Sequence, residues 1–229
     1  MSDRVEALST TQRAIGRLTL RSHQEMPTFY VRVRARVDAL VQGLAERRER
    51  TGTRVTLNDA VIRAVVVCLE SHPNLNATVV PGGEEVTLHG EVRVGVVTAT
   101  ERGLMIPSIP ASGTTSVGAI SSHVSQMRAL IAAGTLKGAY LAPPTFTVSN
   151  LGMFGVEEFT AIIPGKGVAV LALGVASEQP VVDQGSIVIG TVMTMTLTVD
   201  HRWVNGVDAA RFLGDMKRIL EVPPLDFWE

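Results

Sequence analysis

Residues 187–206 read IVIGTVMTMTLTVDHRWVNG, and this stretch gives the strongest indication of the fold. Apolar residues alternate with threonines from 193 to 199, which is the period-two pattern of a β-strand whose two faces differ. Asn205-Gly206 is a turn dipeptide, and the residues after it predict a helix over 207–221. A long strand therefore ends at His201 and turns directly into the last helix.

Strands and helices alternate irregularly over the rest of the chain. Further strands are predicted at 29–37, 92–99, 105–109, 146–149 and 168–175. Further helices are predicted at 8–21 with Ser9 or Thr10 as cap, at 38–49 with Asp38 as cap, at 60–70, and after a Ser116 cap. This mixture predicts an α/β fold, a mixed-sheet sandwich with helices packed against the sheet.

Composition narrows the function classes. The chain has 229 residues, of which 45% are hydrophobic and 19% charged, and a net charge of -1. We therefore expect a globular protein with no nucleic-acid partner and no membrane attachment. Its single cysteine, Cys68, rules out a disulfide framework within the chain and favours the cytoplasm, and its position in an apolar run predicts a packing role.

His201 is the first candidate for chemistry. A histidine held between a strand end and a tight turn has the fixed position that a general base needs. Neutral imidazole is the main form of a free histidine at pH 7, and it accepts a proton. A histidine that only hydrogen-bonds its own turn fits the same residues, so both interpretations stay open at this point.

The segment 145–155, TFTVSNLGMFG, is the second candidate. A predicted strand delivers Ser149 and Asn150 into a loop that contains glycines, which allow a backbone to approach a ligand closely. A serine hydroxyl in this place could donate a hydrogen bond to a developing oxyanion. A turn stabilised by serine and asparagine is the alternative interpretation.

Other site chemistries have little support in the sequence. No Gly-x-Ser-x-Gly motif is present, so a serine hydrolase is weakly supported. The five histidines lack metal-ligand spacing with one another or with the cysteine, and we expect no metal.

Seven segments, taken in order, carry a resemblance to a known family. They are QRAI at 12–15, MPTFY at 26–30, LNDA at 57–60, HPNLN at 72–76, GLMIP at 103–107, the segment 146–155, and DHR at 200–202 with AARFL at 209–213. They resemble the catalytic domain of the dihydrolipoyl acyltransferase component of 2-oxoacid dehydrogenase complexes, over nearly the whole chain. That family shares its fold with chloramphenicol acetyltransferase.

The resemblance implies a chloramphenicol acetyltransferase-like fold, a homotrimer, and coenzyme A or acetyl-CoA as co-substrate. It implies that His201 is the base that takes a thiol proton, and that Ser149 binds the oxyanion across a subunit interface. Asn205 is the third predicted catalytic residue, at a position where the family usually has aspartate. The predicted coenzyme A contacts are Arg13, Arg17 and Asn150.

The sequence also departs from the family. Residues 1–229 are predicted to form a single catalytic domain, without the lipoyl and peripheral-subunit-binding domains of complex-forming members. Thr28 stands where many members have histidine. We therefore expect a free-standing acetyltransferase that acts on a small-molecule hydroxyl, such as that of a tetronate-type intermediate of specialised metabolism. The alternatives are a dihydrolipoyl acyltransferase core with a carrier-bound acceptor, and a non-catalytic assembly protein, which only Asn205 favours.

Overall fold

A computed structural model describes residues 3–100 and 103–228. Met1, Ser2 and Glu229, which belong to the predicted domain 1–229, lie outside the described residues. The helices are α1 (Thr10–Glu25), α2 (Asp38–Thr51), α3 (Leu57–Ser71), α4 (Val117–Ala132) and α5 (Gly206–Glu221). The strands are β1 (Thr28–Arg36), β2 (Ala77–Val79), β3 (Val86–Leu88), β4 (Val92–Val96), β5 (Thr98–Thr100), β6 (Gly103–Met105), β7 (Ser108–Ala111), β8 (Phe146–Asn150), β9 (Ala169–Asp183) and β10 (Ser186–Asp200).

The main sheet of the described residues has six strands in the order β1-β10-β9-β8-β4-β7. β8 runs parallel to both β4 and β9, and the other neighbours are antiparallel. Two small hairpins, β2-β3 and β5-β6, lie outside this sheet. The predicted mixed sheet is confirmed, and the residues of the stretch 187–206 up to Asp200 lie in β10, between the edge strand β1 and β9.

Helices α3 and α5 form the core layer on the sheet. α3 is apolar on nearly all sides and almost wholly buried, as expected for a helix enclosed by other elements. α5 is amphipathic, and its Phe212 packs against Phe146 of β8 with ring centroids 5.6 Å apart. This packing connects the last helix to the strand that carries Ser149.

α1 lies at the periphery. Ser9 caps it in a reciprocal pair with Gln12, so the predicted serine cap is confirmed. Ser22 is its only buried residue, and Leu20 is 57% exposed. A helix with exposed leucines and so little burial leaves apolar surface available to another protein surface.

Two predicted helix starts are wrong. Asp38 is the first residue of α2, not its cap, because its carboxylate accepts hydrogen bonds from the Thr191 backbone N–H (2.7 Å) and from Arg36 (2.6 Å). α3 starts earlier than predicted because Thr56 and Asp59 form a capping box.

β9 and β10 form a long hairpin that extends further than the sequence pattern predicted. Its turn is Gln184-Gly185, with positive φ angles of 48° and 82°. Val182 and Ile187 face each other near the tip and are 76% and 79% exposed. Because both strands are exposed near the tip of the hairpin, their residues there do not alternate between buried and exposed. The sequence therefore predicted shorter strands than the structure has.

Cys68 lies in α3 and is 2% exposed. Burial raises the pKa of its thiol to about 12. The predicted packing role is confirmed. Among the described helices, none has the length and apolar character needed to span a bilayer.

Candidate active site

The turn after β10 fixes the backbone of His201. The His201 N–H donates to the carbonyl oxygen of Pro27 at 2.9 Å. Its ring lies against Phe29, with centroids 4.4 Å apart, and the residue is exposed. The ring nitrogens make no hydrogen bond with any described residue, so they are available to a substrate.

An ion pair beside His201 stiffens this turn. Asp200 is fully buried, and its carboxylate accepts hydrogen bonds from the Arg202 backbone and guanidinium, the shortest at 2.6 Å. The hydrogen bond with Asp200 raises the pKa of Arg202. Thr28 pairs with Asp200 in the sheet register, one residue from His201. The sheet pairing of Asp200 before the histidine and the ion pair with Arg202 after it therefore both fix the turn.

Asn205 caps α5. Its side-chain oxygen accepts the backbone N–H groups of Val207 and Asp208, both at 2.9 Å. Its side-chain nitrogen has no hydrogen-bond partner among the described residues. Asn205 therefore joins the histidine turn to the helix and still has a donor to offer.

Ser149 lies near the end of β8 and is 8% exposed. Its hydroxyl makes no hydrogen bond with a described residue. It faces a cavity of about 220 Å³. The other lining residues come from α1, from the loop 159–164, and from Val97, Leu104, Ile106 and Val170. An uncommitted hydroxyl at such a cavity can donate to a ligand oxygen, so an oxyanion role is chemically available.

His201 and Ser149 lie far apart within one chain. Val199 is opposite Ala169, whereas Ser149 is opposite Ala172, and two strand spacings separate β10 from β8. With about 3.3 Å per residue and about 4.8 Å per strand, the two backbones are roughly 15–20 Å apart. At this separation, the His201 and Ser149 side chains of one chain do not reach the same reacting carbonyl group.

The predicted coenzyme A residues occupy two places. Arg13 and Arg17 are exposed on α1, and Arg13 bonds Leu8 and Thr10 while Arg17 has no described partner. Asn150 is committed within the protein, since it donates to Asn58 at 3.0 Å and accepts from the Gly152 N–H at 2.8 Å. Both polar atoms of the Asn150 side chain are therefore already engaged in hydrogen bonds within the protein.

The family model for 2-oxoacid dehydrogenases acyltransferase (catalytic domain) matches residues 1–227. The chain belongs to this family. As a member of the 2-oxoacid dehydrogenase acyltransferases, it has the predicted enzyme class, an acyltransferase, and the resemblance inferred from the seven segments is confirmed.

One curated relative is the dihydrolipoyllysine-residue acetyltransferase component of the pyruvate dehydrogenase complex of Zymomonas mobilis. It is 32% identical over 219 residues, which cover 94% of this chain and 49% of that protein. The chain thus spans about half the length of the curated relative it matches.

Two solved structures establish the fold. Dihydrolipoamide acetyltransferase of Azotobacter vinelandii superposes with a TM-score of 0.90 at 23% identity, covering 96% of this chain and 92% of that one. Chloramphenicol acetyltransferase superposes with a TM-score of 0.54 at 15% identity, covering 98% and 99%. The predicted chloramphenicol acetyltransferase-like fold is confirmed.

The predicted small-molecule hydroxyl acceptor is wrong. Curated relatives that match this chain are dihydrolipoyllysine-residue acetyltransferase components. The two residues that suggested an altered acceptor both make structural contacts, because Thr28 pairs with Asp200 in the sheet and Asn205 caps α5. Neither residue indicates a pocket for an alcohol.

The cavity beside Ser149 was not predicted from the sequence. Phe159 and Ala161 lie in a loop without regular secondary structure, so no periodicity marked them. The available signal was the mostly apolar run FTAII at 159–163, because apolar residues in an exposed loop are unfavourable unless they pack against something.

The described residues contain no cluster of three or more potential metal ligands.

Proposed function

We propose that this chain transfers an acyl group between the thiol of coenzyme A and a dihydrolipoyl thiol borne by a carrier. The observation that carries the proposal is that Ser149 and His201 both have uncommitted polar atoms, at positions that the sheet holds fixed. Acyl transfer between thiols needs a base and an oxyanion donor, and no metal.

The reaction proceeds in two steps. A ring nitrogen of His201 takes the proton of the attacking thiol, and the thiolate adds to the thioester carbonyl carbon. The Ser149 hydroxyl donates a hydrogen bond to the resulting oxyanion. The tetrahedral intermediate then collapses, the bond to the leaving sulfur breaks, and the leaving thiolate regains the proton from His201. The base contributes roughly 10²–10⁴ in rate, and the oxyanion donor roughly 10²–10³.

The spacing of three residues supports this assignment. In the Azotobacter vinelandii protein, a serine, a histidine 52 residues later and an asparagine four residues after that have been studied for their role in the catalytic mechanism. Ser149, His201 and Asn205 have the same spacings here. Asn205 is thus a positioning residue that holds the histidine turn, and its free amide N–H is a further donor toward the substrate.

The separation of His201 and Ser149 supports a homotrimer. If each site combines His201 of one subunit with Ser149 of the next, the 15–20 Å between them in one chain is no obstacle. A closed ring of three identical interfaces makes three such sites. The exposed leucines of α1 are apolar surface that such an interface would cover.

Coenzyme A is the proposed co-substrate, bound along α1. Arg13 and Arg17 are one helical turn apart and exposed, which suits its phosphate groups. Asn150 would act by shaping the loop 151–155, since its side chain is committed to Asn58 and Gly152. We place the single domain 1–229 in the cytoplasm, where dihydrolipoyl thiols stay reduced.

The test is acetyl transfer from acetyl-CoA to dihydrolipoamide, followed by chromatography of S-acetyldihydrolipoamide. The chain should form this product, and His201→Ala should lower turnover by roughly 10²–10⁴. His23→Ala is the matched control, because His23 is an exposed histidine on α1. Transfer that survives in His201→Ala, or no transfer by the unmutated chain, contradicts the proposal.

A further inference from the structure

A contact between two asparagine side chains controls the backbone that follows Ser149. The Gly152 backbone N–H donates to the side-chain oxygen of Asn150 at 2.8 Å, and the side-chain nitrogen of Asn150 donates to Asn58 Oδ1 at 3.0 Å. A backbone N–H can only donate, so the Asn150 oxygen must face Gly152 and its nitrogen must face Asn58. Asn58 therefore supplies the acceptor that this one orientation of Asn150 requires.

Asn58 is anchored to the core of the protein. It is the second residue of α3, and a reciprocal pair fixes the start of that helix. The Thr56 N–H donates to the Asp59 carboxylate at 2.8 Å, and the Asp59 N–H donates to the Thr56 hydroxyl oxygen at 3.2 Å. Because α3 is almost wholly buried, its first turn has little freedom to move. The contact with Asn150 therefore connects the end of β8 to a rigid helix.

The loop after β8 packs directly against β9. A Cβ atom on Gly152 would lie 2.7 Å from the carbonyl oxygen of Gly174, so the two backbones are in contact. The Leu151 N–H donates to the carbonyl oxygen of Leu173 at 3.2 Å. The loop can therefore relax only away from β9, and such a movement displaces the end of β8 that carries Ser149.

The Ser149 hydroxyl depends on this backbone for its direction. Ser149 is 8% exposed, and its hydroxyl has no hydrogen-bond partner among the described residues that would hold it. An oxyanion donor acts only when it lies roughly 2.7–3.1 Å from the oxygen of the transition state. A misplacement of about 1 Å can lower the rate by about 10²-fold. The position of the backbone at Ser149 therefore decides how well the hydroxyl can act.

We propose that Asn58 is a positioning residue for the acyl transfer. Through Asn150 it fixes the backbone after Ser149, and so it holds the serine hydroxyl toward the developing oxyanion. In this role Asn58 contacts neither the substrate nor the reacting atoms. The inference rests on the proposed function, and it gives the start of α3 a part in stabilising the transition state. Loss of this contact should therefore lower kcat without raising KM.

The first experiment compares Asn58→Ala and Asn58→Asp with the unmutated chain in acetyl transfer from acetyl-CoA to dihydrolipoamide. Alanine removes the acceptor, so kcat should fall by about 10- to 100-fold. The KM values for both substrates should change less than about threefold. Aspartate keeps an acceptor oxygen for Asn150, and its charge suits the first turn of a helix, so Asn58→Asp should retain most of kcat.

Thr56→Ala is the matched control. It removes the cap of the same helix and should lower the urea midpoint of unfolding, but it leaves the contact between Asn58 and Asn150 in place. Its kcat, measured where the protein is fully folded, should equal that of the unmutated chain. An equal loss of kcat in Thr56→Ala and Asn58→Ala would mean that any weakening of α3 impairs the enzyme, and this would overturn the inference.

A second experiment asks whether Asn58 acts through Ser149. In a Ser149→Ala background there is no hydroxyl to position, so adding Asn58→Ala should lower kcat less than about twofold. A purely structural contribution would instead lower kcat by the same factor in both backgrounds, and that result overturns the inference. Full activity of Asn58→Ala, or an Asn58→Asp variant as impaired as Asn58→Ala, also overturns it.

Amide hydrogen exchange tests the contact without turnover. The segment 151–155 should exchange faster in Asn58→Ala than in the unmutated chain, and Asn58→Asp should restore its protection. Equal exchange in all three proteins would show that Asn58 does not hold this loop, and would overturn the inference even where acetyl transfer occurs. No acetyl transfer by the unmutated chain, with faster exchange in Asn58→Ala, would refute the proposed reaction and support the control of this loop by Asn58.

Discussion

At the scale of single residues, substitutions can separate the observed helix cap of Asn205 from its proposed role as a donor to the substrate. Asn205→Asp keeps an oxygen for the Val207 and Asp208 N–H groups but removes the amide donor, so stability should hold while turnover falls. Asn205→Ala should lose both, with about 0.5–2 kcal/mol of unfolding free energy lost with the cap. Urea unfolding and the acetyl-transfer assay measure the two effects. Equal turnover in all three proteins would remove Asn205 from the mechanism.

His72 and Asp215 make a pH-dependent contact between α3 and α5. His72 Nε2 lies 2.8 Å from an Asp215 oxygen, and this hydrogen bond is the main cause that lowers the pKa of Asp215. A lowered pKa in the folded state means that the contribution to stability is complete above the unfolded value, about 3.9, and is lost as the pH falls below it.

Asp215→Asn should therefore be less stable than the unmutated chain at pH 6, and this difference should shrink as the pH falls below about 4. Urea unfolding from pH 3 to 7 measures it. A stability difference that is the same at every pH would show that the ionised carboxylate contributes nothing.

At the scale of elements, the turn of the β9-β10 hairpin has an unfavourable residue. Gln184 adopts a φ of 48° followed by Gly185 at 82°, and asparagine is preferred over glutamine in such a left-handed position. Gln184→Asn should raise the unfolding free energy by a few tenths of a kcal/mol, up to about 1 kcal/mol. Gly185→Val should lower it. Thermal unfolding of the three proteins decides the order.

The exposed cationic face of α1 gives a second prediction for an element. Arg13→Ala combined with Arg17→Ala should raise the KM for acetyl-CoA and weaken its dependence on salt, with kcat little changed, because the arginines would bind phosphates distant from the reacting carbon. Arg48→Ala on α2 is an exposed control. An unchanged KM would leave both arginines as solvated helix charges.

The elements also show what the sequence could and could not predict. The strand before His201 and the apolar helix α3 were predictable, because burial enforces a period on the residues of regular elements. Asp38 was misjudged because its carboxylate bonds to Thr191, 153 residues away, and no local pattern reports such a contact. Motifs singled out Ser149 and His201 as candidate site residues, which stays a prediction, but Phe159 and Ala161, which line the cavity beside Ser149, lie in an irregular loop. The positions of Phe159 and Ala161 at this cavity depend on tertiary contacts, which no local sequence pattern reports.

At the scale of the whole molecule, the proposed site combines His201 of one subunit with Ser149 of the next. Two variants that are each inactive should therefore complement each other in mixed trimers. His201→Ala and Ser149→Ala should each be nearly inactive alone. Trimers that contain both variants should recover up to about a third of the unmutated activity, because one of their three interfaces joins an intact His201 to an intact Ser149. Co-expression with two affinity tags isolates the mixed trimers for assay. No recovery in verified mixed trimers would show that the two residues do not share a site across subunits.

Burial of the only cysteine has a consequence for redox chemistry. The proposed reaction would place the protein beside dithiols that readily form cyclic disulfides, and an accessible thiolate would exchange with them. With a pKa of about 12, roughly one Cys68 thiol in 10⁵ is ionised at pH 7, and the sulfur is enclosed within α3. The enclosed, protonated Cys68 should therefore form no mixed disulfide with the thiol substrates of the proposed reaction, and it should stay unmodified whether those dithiols are oxidised or reduced.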